Sequence, residues 1–309
     1  MLDLVRVTEA AAIAASAWIG SGNKLEADKA ATEAMRDRLD RMKDFAGVVK
    51  IGEGKKDESY GLFKGDKVGK QQDGPADQVP LPYPVDIAVD PIDGTRPTIT
   101  SGPEAISVIA LGAKDSMFDT EEHYMLKLAV GGAAKRPGLS LATPLPDLCR
   151  QVAAALHKDV KSLMVCILDR PRHQVYIDQM RALGVRIKLI QDCDVSGAIA
   201  ACRPDSGVDM QFGVGGAPEA VLTAAAIKCL GGFFMAQLWK DGQTSGPMMN
   251  SEDLVHGHCV FAATGITDGS LLDGVRWTER GPVTNSVVMR SESGTVRFIT
   301  TEHGNRVRR

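Results

Sequence analysis

Apolar residues near the N-terminus recur at helical spacing. An alanine-rich stretch over 5–19, with Trp18 as its large anchor, predicts one helix. A second is expected over 26–42, where Ala27, Ala30, Ala31, Ala34, Met35 and Leu39 form an inward stripe. The tight connection Gly20-Ser21-Gly22-Asn23-Lys24 separates them. A strand is then expected over 47–51, ending in Gly52-Glu53-Gly54. Residues 69–84 are too rich in proline and polar side chains for a core element and read as an exposed loop. Alternation at Val85, Ile87 and Val89 predicts the next strand, which runs into Asp90-Pro91-Ile92-Asp93-Gly94-Thr95. Apolar runs at 105–112 and 124–131 suggest further strands of a first sheet.

From about residue 146 the pattern changes to strand and helix in turn. Helices are expected at 147–157, 172–183, 194–203 and 217–230, with strands at 162–168, 185–190 and 208–213. That order predicts an α/β domain with a largely parallel sheet over 146–309, after an α+β domain over 1–145. Apolar runs at 232–238, 258–264, 285–290 and 295–300 read as strands and hairpins that can complete either sheet.

Composition narrows the function classes. With 36 basic and 39 acidic residues the net charge is −3, which gives no support for nucleic-acid or membrane-surface binding and points to a small-molecule partner. The six cysteines form no Cys-x-x-Cys pair and most sit in apolar segments, as expected of reduced core thiols in a cytoplasmic protein. No apolar run approaches a membrane span, and Asp3, Arg6 and Glu9 interrupt any signal-peptide core.

The candidate chemistry lies where strands end. Pro91 holds Asp90 extended and Gly94 permits a backbone closed to other residues, so Asp90 and Asp93 can converge on one hard cation. The competing reading is a capped turn with Asp93 as the N-cap of a short helix. Asp28, Glu53 and Glu219 stand in comparable places, and carboxylates from separate elements can share two or three ions. Asp57, four residues after Glu53, is a candidate to orient water. Arg170 and Arg172 follow the strand over 162–168 and suit a phosphate; Asp192 and Asp194 follow the next strand and suit sugar hydroxyls, although Asp194 could equally be a plain N-cap. The glycine run Gly213-Val214-Gly215-Gly216 superficially matches a dinucleotide fingerprint, but Pro218 and Glu219 occupy the helix start where a pyrophosphate would need free N–H groups.

These blocks resemble the class II fructose-1,6-bisphosphatases, a bacterial branch of the lithium-sensitive, metal-dependent sugar and inositol phosphatases. The resemblance is carried by Arg6-Val7-Thr8-Glu9-Ala10, Ile51-Gly52-Glu53-Gly54, Val89 through Thr95, Leu168-Asp169-Arg170-Pro171-Arg172-His173, Gly213 through Glu219, and Ala263-Thr264-Gly265-Ile266-Thr267. It implies a layered α-β-α-β-α sandwich of the sugar phosphatase type, with a metal-binding half over 1–145 and a sugar-phosphate half over 146–309. It implies Mg2+ or Mn2+, two or three ions per site, on Asp28, Glu53, Asp90, Asp93 and Glu219, with Thr95 and Asp57 preparing the attacking water. Substrate contacts are implied at Lys24, Asp93, Gly94, Thr95, Tyr124, Arg170, Pro171, Arg172, Asp192, Cys193, Asp194 and Gly216. The implied reaction is hydrolysis of the 1-phosphate of fructose-1,6-bisphosphate, a step of gluconeogenesis, by a homodimer or homotetramer.

The chain departs from that pattern in places. Asn23-Lys24 stands where Gly-Asp-Lys is usual, and Lys29 replaces a glycine. Asp192-Cys193-Asp194 replaces Asp-Gly-Asp, and Glu58-Ser59-Tyr60-Gly61 replaces an Ala-Pro-Met segment. The loop over 69–84 looks enlarged and the connection over 239–252 short. These departures leave open sedoheptulose-1,7-bisphosphatase or inositol-type monophosphatase activity, and a non-catalytic sugar-phosphate binding protein.

Overall fold

The computed structural model describes residues 2–42, 45–52, 61–69, 85–120 and 123–304. The expected loop over 69–84 lies almost wholly outside them, as do Glu53, Asp57 and residues 58–60. Helices α1 (Leu2–Ser16) and α2 (Lys24–Asp40) form the expected N-terminal pair. Each starts earlier than its apolar stripe. In α2 the reason is Asn23, whose side chain accepts from the Glu26 N–H as N-cap, so Lys24 becomes the first helical residue.

Two sheets follow. In the first, β12 (Arg276–Thr278), β13 (Gly281–Arg290), β11 (Cys259–Gly265), β4 (Ile106–Ala113), β3 (Val85–Asp93), β1 (Ala46–Ile51) and β2 (Lys67–Gly69) lie side by side, with β14 (Thr295–Glu302) also on β13. In the second the order is β10 (Gln243–Asn250), β9 (Phe233–Lys240), β5 (Tyr124–Val130), β8 (Met210–Gly216), β6 (Met164–Leu168) and β7 (Arg186–Ile190).

Two expectations change. The run at 124–131 does not extend the first sheet: β5 pairs with β8 and β9 in the second. All of β5 except Tyr124 is buried, so both faces are covered and no alternation marks which sheet it belongs to. The second sheet is also mixed, since only β7, β6 and β8 run parallel and β5, β9 and β10 pair antiparallel.

Helices complete five layers. α1 and α2 cover the outer face of the first sheet, where Val7, Ala11, Met35, Val49, Ile87 and Ile109 share one core. α6 (Asp194–Ala201) and α7 (Ala217–Leu230) fill the space between the sheets. α4 (Leu145–Ala155) and α5 (Gln174–Ala182) cover the far face of the second sheet over Leu128, Val165 and Phe212. Two of the blocks quoted from the sequence meet here as structure: the Thr8 hydroxyl lies 2.7 Å from that of Thr264, which lies 2.8 Å from that of Ser286, all buried. Glu9, also buried, accepts from Thr284 at 3.1 Å. The six cysteines are free, and burial pushes Cys166 and Cys202 up to about 12. No helix among the described residues is long and apolar enough to cross a membrane.

Candidate active site

β3 delivers both aspartates of its motif. The strand continues through Asp93 with a register shift against β4 between Asp90 and Asp93. A bulge of this kind re-aims side chains that would otherwise alternate. Asp90 Oδ1 accepts the Ile92 N–H at 3.0 Å, which fixes the bend. The next residue, Gly94, has φ +103° and is itself the N-cap of α3 (Thr95–Thr100). Asp93 is therefore not a capping residue, and its carboxylate is left to other work.

That carboxylate is buried, and its Oδ2 has no hydrogen-bond partner among the described residues. Burial first, then the charges of Asp194 and Glu219, hold the Asp93 carboxyl well above the usual carboxylate range, while Lys127 draws it partly back. A buried carboxylate in that position needs a proton or a cation. The surrounding donors are carboxylate and hydroxyl oxygens, the set a hard divalent ion takes. Among the described residues no three His, Cys, Asp or Glu side chains are grouped closely enough to hold one ion as they stand. Glu53 lies outside the described residues.

The other predicted residues fall into small groups. Thr95 Oγ1 donates to Asp28 Oδ1 at 3.1 Å, joining α3 to α2. Lys24 is exposed at the start of α2. Arg170 and Asp192 form an ion pair, both partly buried. Arg172 donates from Nε and from its second terminal nitrogen to the Val214 carbonyl, at 3.2 and 2.9 Å, and its guanidinium lies 5.1 Å from the Tyr124 ring centroid. Burial lowers the Arg172 pKa from its ordinary value, with Tyr124 and Asp194 opposing. Pro171 is exposed at the start of the short turn Pro171–His173.

Cys193 joins the two halves of the site. It is buried at the N-cap of α6 with φ +69°, and its thiol donates to the Asp93 carbonyl at 3.1 Å. A Cβ on Gly94 would stand 2.2 Å from that sulfur, so the two turns interlock. Asp194 is the first residue inside α6, not its cap, and its Oδ2 accepts from Lys127 Nζ at 2.7 Å. The glycines at the end of β8 make room for acids: a Cβ on Gly215 would lie 1.8 Å from Asp194 Oδ2, and one on Gly216 1.8 Å from Glu219 Oε2. Glu219 sits in the first turn of α7, where the helix dipole favours a negative charge.

Two residues at this site carry no role in the sequence reading. Lys127 is a lone lysine in the apolar run of β5, and a buried ion is its signal. His173 closes the arginine block; its Nδ1 lies 2.7 Å from the Leu168 carbonyl and its Nε2 accepts from the Val214 N–H at 2.8 Å. A cavity of about 870 Å³, lined by Leu141, Tyr176, Phe212 and Trp239 among others, touches none of the predicted carboxylates.

The family model described as bacterial fructose-1,6-bisphosphatase, glpX-encoded, matches residues 1–303. Fructose-1,6-bisphosphatase 1 class 2 of Escherichia coli K12 is 38% identical over 327 aligned positions, covering 98% of this chain and 94% of that protein. The class 2 fructose-1,6-bisphosphatases of Escherichia coli O6:H1 and Shigella flexneri are similar to the same extent, each at 38%.

Proposed function

The chain belongs to the bacterial, glpX-encoded family of fructose-1,6-bisphosphatases, and on that premise we propose that it hydrolyses fructose-1,6-bisphosphate to fructose 6-phosphate and phosphate. The observation that carries the reading is Asp93, a buried carboxylate with an unpartnered oxygen, at the point where the strand β3 meets the N-terminal ends of α6 and α7. Asp28, Asp90, Asp93 and Glu219, with Glu53, are the residues that would hold two or three divalent ions. Magnesium or manganese, when bound, supplies neutralisation of phosphoryl charge and a water acidified enough to attack at neutral pH.

The protein's own groups do the positioning. Thr95 spends its proton on Asp28, so its oxygen is turned to accept from the attacking water, and Asp57 shares that task. Arg170, oriented by Asp192, and Arg172, held by the Val214 carbonyl and the Tyr124 ring, present fixed donors to the distal phosphate. Asp192 and Asp194 accept from sugar hydroxyls, and Gly94 and Gly216 let ligand approach the backbone. Lys24, exposed at the start of α2, would supply a basic group near the substrate. Residues 1–145 thus supply most of the metal end and residues 146–309 most of the sugar end.

The test is phosphate release from a panel that includes fructose-1,6-bisphosphate, sedoheptulose-1,7-bisphosphate and inositol monophosphate, with magnesium or manganese. Fructose-1,6-bisphosphate is expected to be the best substrate, and chelation to abolish release. Asp93→Asn is expected to lower kcat by about 100-fold or more. Tight binding of fructose-1,6-bisphosphate without turnover, or undiminished release in the chelated protein, would overturn the proposal.

A further inference from the structure

Lys127 is among the largest side chains buried almost completely, at 1% exposure. It rises from the middle of β5, between β8 and β9, toward the layer that holds α6 and α7. Its ammonium meets the Asp194 carboxylate at 2.7 Å, and Asp194 is itself 5% exposed. Gly215 clears the space: a Cβ there would lie 1.8 Å from Asp194 Oδ2 and 2.9 Å from Lys127 Nζ. The Asp194 and Glu219 carboxylates bear electrostatically on Asp93 at this point, and Lys127 is the opposing charge.

A buried ion pair is poor value as a source of stability, because desolvating both ions costs about as much as their attraction returns. An apolar pair of the same volume would serve the core between the sheets equally well. What the pair does supply is orientation. One oxygen of Asp194 is committed to Lys127 and the carboxylate cannot rotate freely, which presents its other edge in one direction. The strand bearing Lys127 is central in its sheet, so the anchor is rigid.

We propose that Lys127 is a positioning residue for sugar recognition: it clamps Asp194 against Gly215 so that the carboxylate at the start of α6 is aimed at the sugar before substrate arrives. This rests on the reading of Asp194 as a sugar contact. An unclamped Asp194 must be ordered by the substrate at the moment of binding, and that cost falls on KM.

Steady-state kinetics on fructose-1,6-bisphosphate with Lys127→Met and Asp194→Asn separates the possibilities. Lys127→Met is expected to raise KM at least tenfold with kcat within threefold of the parent, and Asp194→Asn to raise KM similarly. The double variant is expected to be no worse than the poorer single one, because both remove one clamp. A merely structural role for Lys127 would lower the active fraction, so kcat would fall with KM unchanged, and that result overturns the inference. If Asp194→Asn leaves KM unchanged, the sugar-contact reading fails. If only Asp194→Asn raises KM, the reading stands and the positioning role fails. Should Lys127→Met not fold, the same split is read on Lys127→Gln, whose uncharged amide stops one atom short of the ammonium's position; a KM equal to the parent's overturns the inference there too.

Discussion

Gly94 shows how a single residue ties the metal-side turn to the sugar-side helix. Its φ of +103° is a conformation that other residues adopt only with strain, and the absent side chain leaves room for the Cys193 sulfur. Gly94→Ala is expected to lower the unfolding free energy by about 2 kcal/mol or more, from the left-handed backbone together with the overlap. Adding Cys193→Gly should recover the overlap portion and leave the backbone portion. Urea unfolding of the two single variants and the double measures this, and strictly additive losses would show that the sulfur is not the obstacle. Proline and glycine made the bend at Asp90–Gly94 legible in the sequence. Its lock was not, because Cys193 lies about a hundred positions away and only the packed molecule brings its thiol to the Asp93 carbonyl.

Among elements, the turn Pro171–His173 does more than end β6. The parallel pairing of β6 with β8 is confined to Val165 with Met210 and Cys166 with Gln211. Beyond it His173 spans the gap, donating from Nδ1 to Leu168 on one strand and accepting at Nε2 from Val214 on the other. This keeps Val214, the acceptor for Arg172, in place. His173→Ala is expected to cost about 3 kcal/mol, since it leaves two buried backbone groups unpartnered. Burial, then the nearby Arg172 and Arg170 charges, lower the His173 pKa below its ordinary 6.5. The unfolded chain therefore takes up a proton that the folded one refuses. The contribution of His173 to stability is full above about pH 6.5 and is lost as pH falls from there toward the folded pKa. Urea midpoints compared at pH 7.5 and 5.5 should fall more steeply for the parent than for His173→Gln, which cannot be protonated. The helices and strands around this turn were readable to within a few residues from periodicity, but the role of His173 was hidden because a histidine beside two arginines looks like part of their charge.

For the whole molecule, α7 is the shared wall of both sheets. Ala217, Ala220, Ala224, Ala225 and Ala226 are all buried, and the helix has apolar residues on every face. Such a helix belongs between two layers, not on one. Small side chains let both sheets approach, so Ala224→Leu is expected to cost about 1–3 kcal/mol and to lower the thermal transition of the whole protein, as read by calorimetry. Local destabilisation with an unchanged main transition would mean that the layers are independent.

Several properties were decided by the sequence alone: two helices at the start, strands that end in acids, glycine and proline at the bends, and a donor set suited to a hard cation. These are local matters, set by side-chain period and backbone permission over ten residues or fewer. Tertiary structure alone decided that β5 joins the second sheet, that Asp93 is buried beside Asp194 and Glu219, and that Lys127 is the ion partner of Asp194. Sheet membership depends on what covers both faces of a strand, and the strength of a charge depends on how much water is excluded around it. Neither is encoded in any one segment; both arise when distant segments pack.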